Sequence, residues 1–331
     1  MAGTPKDHYV PQFYLDAFAI EGPGMDKPHI YQYMPEETVS PRISDVASEK
    51  HFYTVEEKDT GKPLRDLDDI LSMSEGPASV PLKRIITEGK IDLSDEERAD
   101  LAIFFSLLAV RTPGFMNTQK SMVGEVMKEI MTLKAEHKEH FKRSHEHAGL
   151  NLNEAELEDQ RRFVLEKRYD IQFNNNGYFL AQGLGVSQEV AEWYYEHKFW
   201  HLLISDSDKV FITSDNPVSI YRPNFGNTLM NGGYKHGTLV VSISPRHALL
   251  LRDLPHGSPV LEVSSSRVEK MNENTMRFSN DYVFSNLNSR KIAEMYRQIG
   301  NKGFQQIEAK RHNFAPYVFF MPPPIPAEPL F

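Results

Sequence analysis

The chain has 331 residues, with 46 acidic and 37 basic side chains, a formal net charge of −9 and no cysteine. The missing thiols exclude a disulfide scaffold, a thiolate metal site, a cysteine nucleophile and a cysteine-ligated iron–sulfur cluster. At 40% hydrophobic and 11% aromatic residues the chain is too rich in core-forming side chains for disorder. No apolar run reaches the ~18 residues of a membrane helix. Residues 1–8 lack a signal-peptide core, so a cytoplasmic globular protein without membrane contact is expected.

Residues 8–18, HYVPQFYLDAF, read as a turn or short helix, with Pro11 suited to a helix start. The aromatic and β-branched runs at 30–33 and 52–55 read as strands. A helix is expected over 67–86, interrupted at Gly76-Pro77. Ser94-Asp95-Glu96-Glu97 matches a capping box and opens a helix running to Arg111. That helix is apolar nearly all round, which predicts a buried central element. A long polar helix should span 115–147, another 153–173, and a third 187–199 with Ser187 as its N-cap.

From residue 200 the period changes to that of strands, at 200–205, 209–213, 238–244, 247–252 and 282–285. Helices at 266–278 and 289–299 should pack on them. The order predicts an α+β fold. It has a central helical bundle and an antiparallel sheet formed mainly by the C-terminal third. The pattern leaves open whether the N-terminal strands join that sheet. A single domain over 1–320 is expected: N-terminal strands at 8–66, a helical part at 67–199 and a sheet-rich part at 200–320. A Pro-rich tail at 321–331 should adopt extended polyproline II.

Several polar groups could carry chemistry. Asp68 and Glu75 stand seven apart, so a helix returns them to nearly one face, where two carboxylates can share a divalent ion. The alternative is a solvated acidic face, since residues 54–75 hold seven acids against three bases. Ser214-Asp215-Asn216-Pro217 follows an apolar strand. Asp215 could be a metal ligand or general base and Asn216 could orient a phosphate, but the same residues are good turn formers. His8 could act as acid, base or ligand, or pack among aromatics. Arg111 could hold a phosphate, or balance the end of its helix.

Other features read as structure. His137, His140, His145 and His147 lie on an alternating-charge helix surface, and Trp193-Tyr194-Tyr195 and Phe199-Trp200 at helical spacing read mainly as core. No Walker A, dinucleotide or nucleophile-elbow motif occurs, so no nucleotide cofactor is expected. Residues 288–314 carry six cations against two acids, a patch that could hold nucleic acid despite the acidic total.

The segment HYVPQFYLDAFA resembles the opening signature of domain of unknown function 4238, as does PRISDVASEKHFYT at 41–54. In order follow the acidic helix with Asp68 and Glu75, Arg111-Thr112-Pro113, Trp200 leading into FITSDNPV, SISP at 242–245, an Asn-bearing helix at 272–274 and the strand YVFS. Asp16 stands where relatives often carry Arg or Lys, and Asp68 where Glu is expected. The resemblance implies an effector of anti-phage defence, such as a nuclease.

On that basis the leading expectation is a metal-dependent phosphodiester hydrolase. Asp68, Glu75 and Asp215 would hold Mg²⁺ or Mn²⁺. His8 would activate water, Arg111 would stabilise phosphate charge, and Asn216 would complete the site. The second expectation is a non-enzymatic sensor or binding module for a viral protein or small ligand. In that case HYVPQ and SDNP form a clasp between the N-terminal segment and the sheet.

Overall fold

The computed structural model describes residues 6–20, 27–53, 55–56, 63–64, 66–173, 176–206, 208–221, 233–235, 237–255, 257–299, 308–312 and 315–319, with the side chains of 55–69 and 308–319 outside that description. In chain order the elements begin with β1 (Lys6–His8), α1 (Gln12–Asp16), β2 (Tyr31–Tyr33), β3 (Thr38–Val39), β4 (Ser48–Lys50), β5 (Val55–Glu56) and β6 (Pro63–Leu64). Helices α2 (Asp66–Glu88), α3 (Asp95–Val110), α4 (Pro113–Glu136), α5 (Lys138–His147), α6 (Glu154–Leu165) and α7 (Gly177–His197) follow. Then come β7 (Phe199–Ser205), β8 (Thr213–Ser214), β9 (Ser219–Tyr221), β10 (Thr238–Ser244), β11 (His247–Arg252) and β12 (Val260–Val263). The described part closes with α8 (Ser265–Phe278), β13 (Val283–Ser285), α9 (Arg290–Ile299) and the hairpin β14 (Glu308–His312) and β15 (Ala315–Phe319). The fold is α+β. The Pro-rich tail expected at 321–331 lies outside the described residues.

Within the described residues the chain forms two compact units. One is drawn from Met1–Met116 and Asn175–Gln305, the other from Asn117–Asn174 and Gln306–Met321. In the first, a five-stranded sheet has the order β12-β7-β11-β10-β9, antiparallel except for the β12–β7 pair. A four-stranded antiparallel sheet has the order β3-β2-β13-β8. The N-terminal strand at residue 31 therefore joins a C-terminal strand, with Tyr33 opposite Val283. Val268 and Met271 of α8 pack with Leu203, Val240 and Leu250 on one face of the five-stranded sheet. The ring of Phe105 on α3 meets Trp200 of β7 at 6.0 Å.

Helix α3 is capped as the sequence predicts: the Ser94 hydroxyl accepts the Glu97 N–H, and the Glu97 carboxylate accepts the Ser94 N–H. Residues Leu101, Ala102 and Phe104 to Val110 are buried, while Ile103 alone among them is 44% exposed. Helix α2 runs on through Pro77 and Pro81. Each proline removes a helix hydrogen bond, but Leu71, Ala78, Leu82 and Ile85 bury its inner face and outweigh that loss.

Besides the break expected at Gly76-Pro77, through which α2 runs on, four expectations need correction. The strand expected at 52–55 lies earlier, at β4, because His51 takes left-handed backbone (φ 58°) and turns the chain. Phe52 and Tyr53 then pack as core rings beside Tyr9. The helix at 115–147 breaks at His137, whose extended backbone starts α5 and lets Phe141 bury against Ala135, Leu157 and Val164 of the second unit. The helix at 153–173 stops at Leu165, where Lys167 follows in left-handed backbone.

Lastly, α7 begins at Gly177, ten residues before the expected start. Ser187 is not its cap but donates to the Leu184 carbonyl within the helix. Two glycines within α7 have separate roles. A Cβ on Gly183 would lie 3.0 Å from the Phe115 ring and 3.1 Å from Val110, so glycine here permits close approach of α7 to the end of α3. A Cβ on Gly185 would meet nothing within 4 Å. Gly185→Ala is therefore expected to raise stability by ~1 kcal/mol through helix propensity. Gly183→Ala is expected to lower it by ~1–3 kcal/mol through overpacking. Urea unfolding of the two variants, read side by side, checks the opposite signs.

Candidate functional site

Helix α3 ends at Arg111, and this residue gathers the first motif. Its side chain is only 3% exposed. Nε donates to the Tyr9 carbonyl at 3.1 Å, and Nη2 donates to the His8 carbonyl at 2.7 Å. Both Nη1 and Nη2 reach Glu75 Oε1 at 3.0 Å. The Arg111 carbonyl in turn accepts the Tyr53 hydroxyl at 3.1 Å. One guanidinium thus ties the N-terminal segment to α2. Glu75 lies on the inner face of α2, one turn after Leu71, and its side chain remains 28% exposed.

His8 sits beside this pair. Its Nε2 lies 3.3 Å from the Ser44 carbonyl and 3.4 Å from Gln12 Nε2. Partial burial lowers its pKa, against the pull of the Ser44 carbonyl and with Lys6 and Arg111 adding to the effect, which favours the neutral imidazole. The structure thus brings Glu75 to the Arg111 guanidinium, while His8 meets Arg111 through its backbone carbonyl and turns its imidazole to Ser44 and Gln12. Asp68 belongs to the same helix α2 as Glu75, but its side chain lies outside the described residues.

Asp215 and Asn216 form a second cluster, reached through Thr112, the residue after Arg111. The Thr112 hydroxyl donates to Asn216 Oδ1 at 3.2 Å, and Asn216 Nδ2 donates to the Phe278 carbonyl at 2.8 Å. Asp215 is 1% exposed. Its Oδ1 accepts the Asn280 N–H at 2.8 Å, and its Oδ2 accepts the N–H groups of Asp281 and Tyr282 at 2.6 and 3.0 Å. Both oxygens are thus spent on the turn that leads into β13. Burial pushes the carboxyl up to about 7, against the pull of the three amides.

The Asn-bearing helix acts in the same way: Asn272 accepts the Ile212 N–H at 3.1 Å and donates to the Val210 carbonyl at 2.8 Å. A side chain here replaces a ladder partner, which is why the strand expected at 209–213 shortens to β8. Tyr14 of the first motif bonds Thr213 Oγ1 at 3.0 Å and donates to the Ser242 carbonyl. Sequence reasoning did not single out Tyr14, Tyr53 or Thr112. Their positions inside the recurring motifs were the available signal.

Two of the three expected ligands already have partners, and the third, Asp68, has its side chain outside the described residues. Asp215 faces amide hydrogens and Glu75 faces a guanidinium, positions where a cation would be repelled. Among the described residues no group of three or more His, Asp or Glu side chains could hold a metal ion. In the basic stretch, Arg290 pairs with Glu294, Lys291 pairs with Glu269 and Arg297 donates to the Pro35 carbonyl. Lys302 and the side chains of Lys310 and Arg311 lie outside the described residues. His145 packs on Phe141 and bonds Gln160 on the helix surface, in keeping with a structural reading.

A separate feature lies between α3 and α7. A half-open groove of about 450 Å³ is lined by Ala99, Ala102, Ile103, Ser106 and Leu107 on one side and Ser187, Gln188, Ala191, Glu192 and Tyr195 on the other. Its walls stand some eighty residues apart in the chain, so no local pattern reveals it. Among the described residues no single helix is long and apolar enough to cross a membrane.

Fold and site together define an α+β protein in which scattered polar motifs lock an N-terminal segment against a C-terminal sheet. The chain belongs to the family described as Protein of unknown function (DUF4238), whose model matches residues 6–289. No curated protein and no solved structure matches the chain.

The enclosed carboxyl makes stability depend on pH. Its raised pKa means Asp215 takes up a proton on folding. Its contribution is whole below the ordinary value of 3.8 and is lost as pH rises through about 7. Urea unfolding should therefore show wild type losing stability between pH 5 and pH 8 relative to Asp215→Asn, which cannot titrate. The Asn variant should itself be ~1–3 kcal/mol less stable, because its NH₂ opposes amide donors.

Proposed function

We propose that this chain is a cytoplasmic recognition module that binds its target without metal-dependent chemistry. The observation that carries this reading is the full use of Asp215: a carboxylate closed off from solvent and bonded to three amides is placed to hold a turn, not to take a proton from substrate. Arg111, Asn216 and Asn272 likewise spend their polar atoms on neighbouring backbone or side chains. The clasp leaves a surface free for a ligand, and the groove between α3 and α7 has the apolar character of a binding site.

A second reading, phosphodiester hydrolysis by a nuclease of anti-phage defence, draws on a specific observation. His8 is partly open with a lowered pKa, and it stands near a carboxylate, Glu75, that a buried arginine orients. That pair could activate water without a metal.

Purified full-length chain incubated with single-stranded RNA and duplex DNA, in Mg²⁺ or Mn²⁺, decides between them. Recognition predicts no cleavage above buffer and no metal-dependent rise in melting temperature. Cleavage by wild type that disappears in His8→Ala, with the melting temperature unchanged, would overturn it in favour of hydrolysis.

A further inference from the structure

Resting on the recognition reading, we propose that the groove between α3 and α7 receives the apolar face of a cationic amphipathic helix from a partner protein.

The floor of the groove is dry. Ala99, Ala102 and Ala191 are small and apolar. The hydroxyls of Ser106 and Ser187 donate back to the Ile103 and Leu184 carbonyls of their own helices, each at 2.8 Å. Ile103 stands on the wall, the exposed exception on an otherwise buried helix. The lining runs from Ala99 to Leu107 and from Ser187 to Tyr195, a length of ~12 Å on each helix. A bound helix that anchors itself through i, i+3 or i+4, and i+7 spans ~10.5 Å and fits that length.

The charge around the groove selects the partner. Asp95, Glu96 and Asp100 lie three or four residues from Ala99 and Ile103, and so border the same face of α3. Glu192 lines the opposite wall, where Gln188 donates to it at 3.4 Å. Nearby acids are paired, Glu97 with Arg84 and Glu189 with Lys235, but these four make no salt bridge among the described residues. Burial and repulsion from Glu96 and Glu97 raise the Asp100 pKa, a sign of uncompensated negative charge. Asp95 and Glu96 suit the start of a helix. Asp100 in the second turn and Glu192 late in α7 have no such reason to be acidic.

The cation of this stretch, Arg98, is engaged: it donates to the Tyr195 and Lys198 carbonyls and lies over the Tyr195 ring. The rim therefore repels phosphates, fatty acids and anionic lipid, and attracts lysines or arginines flanking an apolar face.

Fluorescence polarisation with the full chain and a labelled Leu–Lys model helix, leucines on one face, tests the inference. Binding is expected to weaken as salt rises and to fall ~tenfold or more in Ile103→Lys. Glu192→Gln should weaken it less and flatten its salt dependence. A Leu–Glu helix of the same pattern should not bind. Should Ile103→Lys melt early, Gln188→Trp fills the groove from an exposed position and replaces it.

Leu–Lys binding unchanged by these groove variants overturns the proposal, as does the absence of binding by either helix. Equal binding of the Leu–Glu helix, lost in Ile103→Lys, overturns the cationic partner while leaving recognition at the groove intact. Preference for anionic lipid vesicles over the Leu–Lys helix, again lost in Ile103→Lys, overturns it in favour of a lipid surface.

Discussion

A buried guanidinium governs how this chain is put together. Desolvating Arg111 at the end of α3 costs several kcal/mol unless its N–H groups find acceptors, and the acceptors come from elements far away in sequence: the carbonyls of His8 and Tyr9, and the carboxylate of Glu75. The N-terminal segment cannot sit elsewhere without taking two carbonyl acceptors from that guanidinium. The position of α2 is fixed by the same bond, because only one turn of a proline-containing helix presents Glu75. Thr112, the next residue, then carries the constraint inward to Asn216 and the turn before β13.

The second organising device is the use of side chains where strands run out. Backbone N–H and C=O groups in a buried loop need partners, and Asp215, Asn216 and Asn272 supply them. A polar network of this kind favours one arrangement over its alternatives, since each member left unsatisfied carries a penalty. This gives the recurring motifs a physical reason to exist before any substrate is considered. It also separates them from the α3–α7 groove, whose dry floor asks nothing of the motifs except that α3 be held in place.

Periodicity and capping made a good part of the fold legible. The capping box at Ser94 opens α3, and the strands β10 and β11 and the helix α8 appear where the sequence placed them. The start of α7 was hidden because Gly183 and Gly185 look alike in sequence, although one serves a close contact and the other faces open space. In the site, the grouping of His8, Glu75 and Arg111 could be anticipated. The role of Asp215 could not: Ser-Asp-Asn-Pro announces a turn, but nothing local says that the carboxylate will cap residues 280–282.

The pairing of β2 with β13 joins residues about 250 positions apart. During synthesis at ~5–20 residues per second, the strand at Tyr31 waits roughly 12–50 s for the strand at Val283 to be made. Through that interval β2 has β3 on one side only, its other edge awaits β13, and Tyr33 lacks the Val283 and Tyr296 it packs with. The nascent chain thus presents an aromatic strand edge to the crowded cell for tens of seconds. Unpaired strand edges and exposed aromatic side chains are the features that make incomplete chains prone to association.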